Sequence, residues 1–340
     1  MKKRTLLTVL GLSALVLLTA CSGGSSGSGS TADSGGSTAE VKADGGGQEE
    51  KSGEGGRNVT MVLKNLVNPF CVTVKEGAEQ AGKDNNLNLT ILTPVQGDNN
   101  EELMQLTEQA VASGDCDALI VFPSDSIGIV PAVQKAYDAE IPVVILNTAI
   151  SSEQTIWKSF VACENWEVGR ACGEALAKKM DYKGKVILIE GVTGAQNSID
   201  RIGGAREVIE SYPDMEVVTS QPGDMNRAKA MEVMQNLLQA HPDVQGVYAI
   251  NDEMALGCVE AIAAAGKSDQ IIVGGCDGNK DARTAIREGK LAFSCDLVPY
   301  DQGYQAVAAA AKIVNGEELE DRVVTKMLII DAENVDETVK

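Results

Sequence analysis

This chain of 340 residues contains a single histidine, His241, which stands beside Pro242 where a helix-like stretch gives way to an apolar run. Histidine titrates near neutral pH and is the commonest metal ligand, so its scarcity removes much of the usual acid–base and metal chemistry. There is also no GxSxG elbow, no P-loop, no HExxH and no GxGxxG after the first apolar run. We therefore expect no catalysis, no cofactor and no metal. Positive charge is scarce as well: 29 Lys and Arg stand against 49 Asp and Glu, a net charge of -20. Phosphates would be repelled, which argues against nucleic acid as a partner. The 8 cysteines form no CxxC pair and show no metal-type spacing. Most fall inside apolar runs, as Cys163 does after Phe160-Val161-Ala162, and a free cysteine packs as a small hydrophobe. Buried thiols are expected rather than a disulfide framework.

The N-terminus is the exception to a chain otherwise without long apolar runs. Lys2, Lys3 and Arg4 precede an apolar stretch from Leu6 to Leu18, followed by Thr19-Ala20-Cys21. A basic head, a short apolar core and small residues before a break are the marks of an export signal. A cysteine at that point resembles the lipobox of bacterial lipoproteins. The resemblance implies cleavage before Cys21 and lipidation of its sulfur, palmitate being the expected acyl group. Two acyl chains anchor a protein to a membrane where one holds it only marginally. From Ser22 to about Arg57 the chain is Gly, Ser, Thr, Ala and charged residues, with Val41 its one large aliphatic. Such a composition cannot offset the entropy of ordering. Residues 1–20 are thus expected to be a signal peptide and 21–57 a flexible tether, with an r.m.s. reach of roughly 30 to 36 Å. The chain is expected to work outside the cytoplasm, tied to the cell membrane.

From Asn58 onward, short Val/Ile/Leu runs alternate with amphipathic stretches of ten to eighteen residues. The runs include Val59–Leu63, Ala118–Phe122, Pro142–Leu146, Lys185–Ile189 and Val244–Ile250; the helix-like stretches include Glu101–Ala112, Glu167–Lys179, Met225–Ala240 and Glu253–Ala265. Continuous apolar strands separated by helices are what parallel sheets covered on both faces require. The fold class is α/β, with doubly wound sheets. In such sheets ligands bind beyond the carboxyl ends of the strands. The residues there are Asn65, Asn68, Phe70, Phe122, Ser124, Asp125, Asn147, Thr148, Glu164, Asn165, Trp166, Asn251, Asp252, Asp277, Asn279 and Asp296. Amides and carboxylates meet hydroxyls at defined angles, and rings offer flat apolar faces. The set suits a small polyhydroxylated ligand.

The same junctions carry a family resemblance. Asn68-Pro69-Phe70, Gln235-Asn236-Leu237-Leu238, His241-Pro242-Asp243-Val244, Asn251 through Gly257 (NDEMALG) and Asp277-Gly278 are similar to the ribose-binding protein group. This is the type I periplasmic sugar-binding fold, and the resemblance covers the whole body from Asn58. It implies two lobes joined by a three-strand hinge, with crossings near Cys163–Glu164, Asp296–Leu297 and Thr325–Lys326. The N-terminal lobe would be 58–163 plus 297–325, the C-terminal lobe 164–296 plus 326–340. Carried over residue by residue, Asn68 and Phe70 match an amide and a stacking ring of the first lobe. Arg201, Asn251 and Asp277 match an arginine, an amide and a carboxylate of the second.

The departures point away from tight ribose binding. Asn147-Thr148 stands where ribose binders carry an Asp-Arg pair, Cys71 and Met225 replace rings, and Phe122 replaces an amide. A glutamine near the second crossing is replaced by Leu297 or by Asp296. Trp166, with Trp157 second, is the candidate for a replacement platform. The resemblance implies a sugar delivered to the permease and ATPase of an ABC transporter. Presentation to a membrane receptor or histidine kinase, and a nucleoside or signalling molecule as ligand, stay open from sequence. A transcription regulator of the same fold would need a basic helix-turn-helix before Asn58, where this chain has an acidic tether.

Overall fold

The computed structural model describes residues 56–337; the expected signal peptide, Cys21 and nearly all of the tether lie outside the described residues. Two six-stranded sheets organise what is described. The first takes β1 (Asn58–Val62), β2 (Asn88–Leu92), β3 (Ala118–Val121), β4 (Val143–Leu146), β5 (Ser159–Ala162) and β11 (Arg322–Val324), in the spatial order 2-1-3-4-5-11. The second takes β6 (Gly184–Glu190), β7 (Met215–Pro222), β8 (Gly246–Ala249), β9 (Ile272–Asp277), β10 (Phe293–Asp296) and β12 (Leu328–Asp331), in the order 7-6-8-9-10-12. Every pairing in the first sheet is parallel. In the second, β12 runs antiparallel to β10 and closes the edge, a departure from an all-parallel expectation. The central strands β3, β4, β5, β8 and β10 are buried at every residue, as sheets covered on both faces demand. The edge strand β7 is eight residues long although only Val217–Thr219 reads as an apolar run, because an edge position leaves Glu216 and Gln221 in solvent.

Helices α1 (Pro69–Asp84), α2 (Asn100–Ala112) and α3 (Val130–Asp138) follow strands of the first sheet; α4 (Asn165–Lys179) follows β5 and leads into the second sheet, whose strands α5 (Gln196–Glu210), α6 (Arg227–Ala240), α7 (Asp252–Ala264) and α8 (Lys280–Arg287) follow. Five of these, α1, α2, α6, α7 and α8, start on an asparagine whose Oδ1 accepts from a backbone N–H of the first turn. Many strand-end amides are therefore helix caps first, which fixes their rotamers. The chain passes between the sheets after β5, returns after β10 into α9 (Pro299–Val314), and passes again between β11 and β12. Val298, on the second passage, holds φ 50, a left-handed conformation that costs a β-branched residue about 1–3 kcal/mol. Its N–H donates to Asp296 Oδ1 at 2.8 Å, which secures the turn.

Helix α9 returns to the first sheet and lies against α1 with the two backbones nearly touching. A Cβ on Gly303 would sit 1.9 Å from the Val74 carbonyl oxygen, and one on Gly77 1.9 Å from that of Tyr300. No side chain fits at either place. Overpacking of this kind costs about 1–3 kcal/mol. Gly303→Val is expected to lower the melting midpoint by about 5 °C or more, read by circular dichroism; an unchanged midpoint would show that the α1–α9 contact is loose.

Candidate functional site

Both sheets have the order 2-1-3, so each has a topological switch point, at β1/β3 and at β6/β8, where ligands of open α/β sheets bind. In the first lobe, β1 runs out into Leu63 and Lys64. Asn65 then turns the chain by accepting from the N–H groups of Val67 and Asn68 at 3.2 and 2.9 Å. Asn68 caps α1, accepting from Phe70 N at 2.9 Å, and Pro69 fixes the first helical residue. Phe70 is thereby held edge-on to Phe122, which follows β3, with ring centroids 6.3 Å apart at 75°. Lys64 Nζ lies 5.0 Å from the Phe122 ring centre and 3.6 Å from Asp98.

Asn147, directly after β4, is the junction of the site. Its φ of 62 is left-handed, a conformation asparagine tolerates better than most residues. Its Nδ2 donates to Gln302 Oε1 of α9 at 2.9 Å, and its Oδ1 accepts from Asn197 Nδ2 of α5 at 3.2 Å. Its carbonyl accepts from Asn165 Nδ2 of α4 at 3.0 Å. Asn165 Oδ1 in turn accepts from Arg201 Nε at 2.9 Å, while Arg201 Nη1 donates to the Ile250 carbonyl at 3.1 Å. Two of the five guanidinium N–H groups are thus directed, one from Nε and one from Nη1. Asn197 and Arg201 stand four residues apart on α5, hence on one face.

A narrow cavity of about 20 Å³ lies at this junction. From the first lobe it is lined by Lys64, Asn68, Phe70, Cys71, Phe122 and Asn147; from the second by Asn197, Arg201, Met225, Asn251 and Asp277. That is room for about one water, so a larger ligand must widen it, and the lining marks the site more than the volume does. Three polar atoms of the lining are buried without a partner: Asn197 Oδ1, Asn251 Nδ2 and Asp277 Oδ2. Asn251 Oδ1 is already occupied, capping α7 through Met254 N at 2.9 Å, so only its amide donor is free. Burial, with the Cys276 thiol and the Asp252 carboxyl nearby, pushes the Asp277 carboxyl well above the usual carboxylate range, against the pull of Arg201 and Lys64. Burial pushes Asp252 up to about 7, against its hydrogen bonds from Ser294 Oγ at 2.6 Å and Asn279 N at 2.9 Å. Unpaired buried donors and acceptors are costly, and a ligand bearing hydroxyls would remove that cost. Beyond the cavity, Gln196 N donates to Ser126 Oγ at 2.8 Å, a further bond between the lobes.

The structure brings together Asn68, Phe70, Phe122, Asn147, Arg201, Met225, Asn251 and Asp277, and leaves two of the expected residues outside. Trp166 is 42% exposed; its ring packs over Gly203 of α5 and its Nε1 donates to Glu207 at 3.0 Å. One residue on from the inward Asn165, it is turned about 100° round the helix and faces out. Thr148 is fully buried but does not line the cavity. Trp157 packs in the core of the first lobe, and Asp296 pairs with Arg283 at 2.6 Å, so neither supplies the missing groups. Leu297 is likewise buried, and the glutamine of this region is Gln302, which orients Asn147 from behind. Lys64 and Asn197 are lining residues that the sequence reading did not select. Lys64 follows the first apolar run directly, and Asn197 shares the helix face of Arg201; both signals were available.

A two-lobed α/β body with a polar cavity at paired switch points defines a class of solute-binding proteins, and comparison with known proteins agrees. Residues 59–318 match the model of the periplasmic binding protein domain. The ribose import binding protein of Escherichia coli (strain K12) is 36% identical over 262 residues, 77% of this chain and 86% of that protein. The ribose import binding protein of Bacillus subtilis (strain 168) is 36% identical over 265 residues, 78% and 84% of the two chains. Among solved structures, an ABC transporter solute-binding protein of Actinobacillus succinogenes 130z with bound D-allose superposes with a TM-score of 0.78 at 31% identity, covering 82% of this chain and 99% of that one. The chain belongs to the periplasmic binding protein family, in the type I, ribose-binding-protein-like group.

The left-handed backbone and the hydrogen bonds of Asn147 can be separated by substitution. Asn147→Gly loses the side-chain bonds but tolerates φ 62, whereas Asn147→Ala also bears strain of about 1 kcal/mol or more. Both are expected to lower the melting midpoint, the alanine variant further; an alanine variant as stable as the glycine one would contradict the strain argument.

Proposed function

We propose that this protein captures a single monosaccharide between its lobes and presents it, closed, to the permease of an ABC transporter driven by a separate ATPase. The observation that carries this reading is the convergence of unpartnered buried polar atoms of Asn197, Asn251 and Asp277 with the free face of Arg201, opposite the rings of Phe70 and Phe122. A sugar hydroxyl both donates and accepts, so it satisfies a carboxylate, an amide N–H and a guanidinium together. Bonds to charged groups in a site without water are the strong ones. The names of its relatives, which specify ribose, and the D-allose bound to the solved neighbour support the ligand class.

The preference within that class differs from that of ribose binders in a definable way. Where they carry charge after the fourth strand, this chain spends Asn147 on Gln302 and Asn197 and keeps Thr148 out of the cavity. Lys64 instead brings a cation into the cavity from the end of β1. Ligand would shift the protein from an open to a closed population by bridging both lobes. The residues round the cavity are used in holding the ligand, and the sole histidine caps α6 away from them, so no reaction is assigned.

Calorimetry with D-allose and D-ribose tests the site. Arg201→Ala, with its fold checked by circular dichroism, is expected to bind about a hundredfold more weakly, the loss of charge-assisted bonds of about 1.5–3 kcal/mol each. An unchanged dissociation constant would remove Arg201 from the site.

The anchoring part of the reading rests on the sequence around Cys21. Export and lipidation at Cys21 would leave the body tethered outside the cell membrane by the segment before Asn58. Cys21→Ser is expected to move the protein from the membrane fraction into the medium, measured by immunoblot; retention in the membrane would contradict the anchor.

A further inference from the structure

Behind the sugar cavity, three cysteines that are scattered in sequence meet in the core of the second lobe. Cys172 comes from α4, Cys276 from β9 and Cys295 from β10, the last two being register partners on adjacent strands. All three are free and fully buried, and their sulfur atoms lie within 4.8 Å of one another. Three sulfurs bound about 2.3 Å from one metal are about 4 Å apart, so a small contraction of this cluster makes a trigonal site.

We propose that Cys172, Cys276 and Cys295 form a structural binding site for one thiophilic d10 cation, Cu(I) or Zn(II). Soft thiolate ligands select these ions over the hard cations that carboxylates take. The surroundings favour this over three inert thiols. The Tyr248 hydroxyl is fully buried, with the Cys172 and Cys276 thiols beside it. A hydroxyl there can donate to a bound thiolate. The buried Arg201 guanidinium interacts with Cys276 and Tyr248 and supplies the counter-charge that a thiolate-rich centre needs in a dry core. On binding, each thiol yields its proton to the buffer as its sulfur joins the metal, with no change of oxidation state. The site is closed to solvent, as structural metal sites are, so loading belongs to folding rather than to a later exchange. The consequence for the cavity is direct, because Asp277 follows Cys276 in the chain and Arg201 adjoins both.

The test uses the full chain, reduced and refolded anaerobically with Zn(II) in one arm and Cu(I) in the other, then desalted. The expected result is one equivalent of metal per chain by mass spectrometry in at least one arm, with a melting midpoint raised by about 5 °C or more. Cys172→Ala and Cys276→Ala should lose at least tenfold in retained metal, while Cys258→Ala, which removes a buried thiol outside the cluster, retains it. X-ray absorption on the loaded wild type needs no variant and should show three sulfur neighbours. Retention of neither cation, equal retention by Cys172→Ala, or an oxygen-only coordination shell would each overturn the proposal. The arm that loads identifies the ion.

Discussion

Asn147 is the point on which the two lobes depend. One side chain and its carbonyl engage Gln302 of the returning helix, Asn197 of α5 and Asn165 of α4, and through Asn165 they set the Arg201 guanidinium. Gln302 also donates to the Leu297 carbonyl at 2.9 Å, which ties the junction to the second passage between the sheets. The arrangement is buried, so each amide must find its partner or carry the cost of an unmade bond. That requirement is met only when the lobes are close, because Asn147 belongs to the first and Asn165 and Asn197 to the second. The contact between the lobes and the orientation of the Arg201 guanidinium are therefore set together.

The hinge is built from similarly plain parts. Cys163 ends the first passage, and its sulfur contacts Thr325 Oγ1 at 3.3 Å, the Lys326 carbonyl at 3.2 Å and the Leu297 carbonyl at 3.8 Å, touching the other two passages. A small, soft side chain allows three backbones to meet there. Close helix pairs surround the hinge: α1 lies on α9, and α4 on α5, where a Cβ at Gly169 would stand 2.2 Å from the Arg201 carbonyl oxygen. The glycine at 169 thus fixes how near Arg201's own helix comes to the one carrying Asn165. Among the described residues, Val298 on the second passage is the one β-branched residue with a positive φ.

Much of this was legible in the sequence, for identifiable reasons. Buried parallel strands such as Val143–Leu146 have no alternation to mislead, and Asn-Pro-Phe at 68–70 reads as a capped helix start. Positions after strands lead to the cavity lining, since the switch points lie there. The errors have a common origin in direction rather than position. Trp166 and Thr148 sit beside Asn165 and Asn147 but lie outside the cavity, and for Trp166 a one-residue step along α4 is enough to do that. Asn197 shares the face of Arg201 on α5 through a spacing of four residues. The network through Gln302 and Asn165 had no local signal, because its members come from four elements. The three-thiol cluster was hidden in the same way, each cysteine reading as one more apolar residue of its own run.

The central claim is that one small sugar satisfies both lobes at once, taking over the unpaired atoms of Asn197, Asn251 and Asp277 while touching Asn68 and the paired phenyl rings. A crystal structure of the chain grown with D-allose tests it most directly. The account predicts a sugar ring in the cavity, its hydroxyls within hydrogen-bond distance of Arg201 and Asp277 on one side and of Asn68 or Lys64 on the other. A sugar bound to one lobe only, or seated away from Arg201, would contradict it.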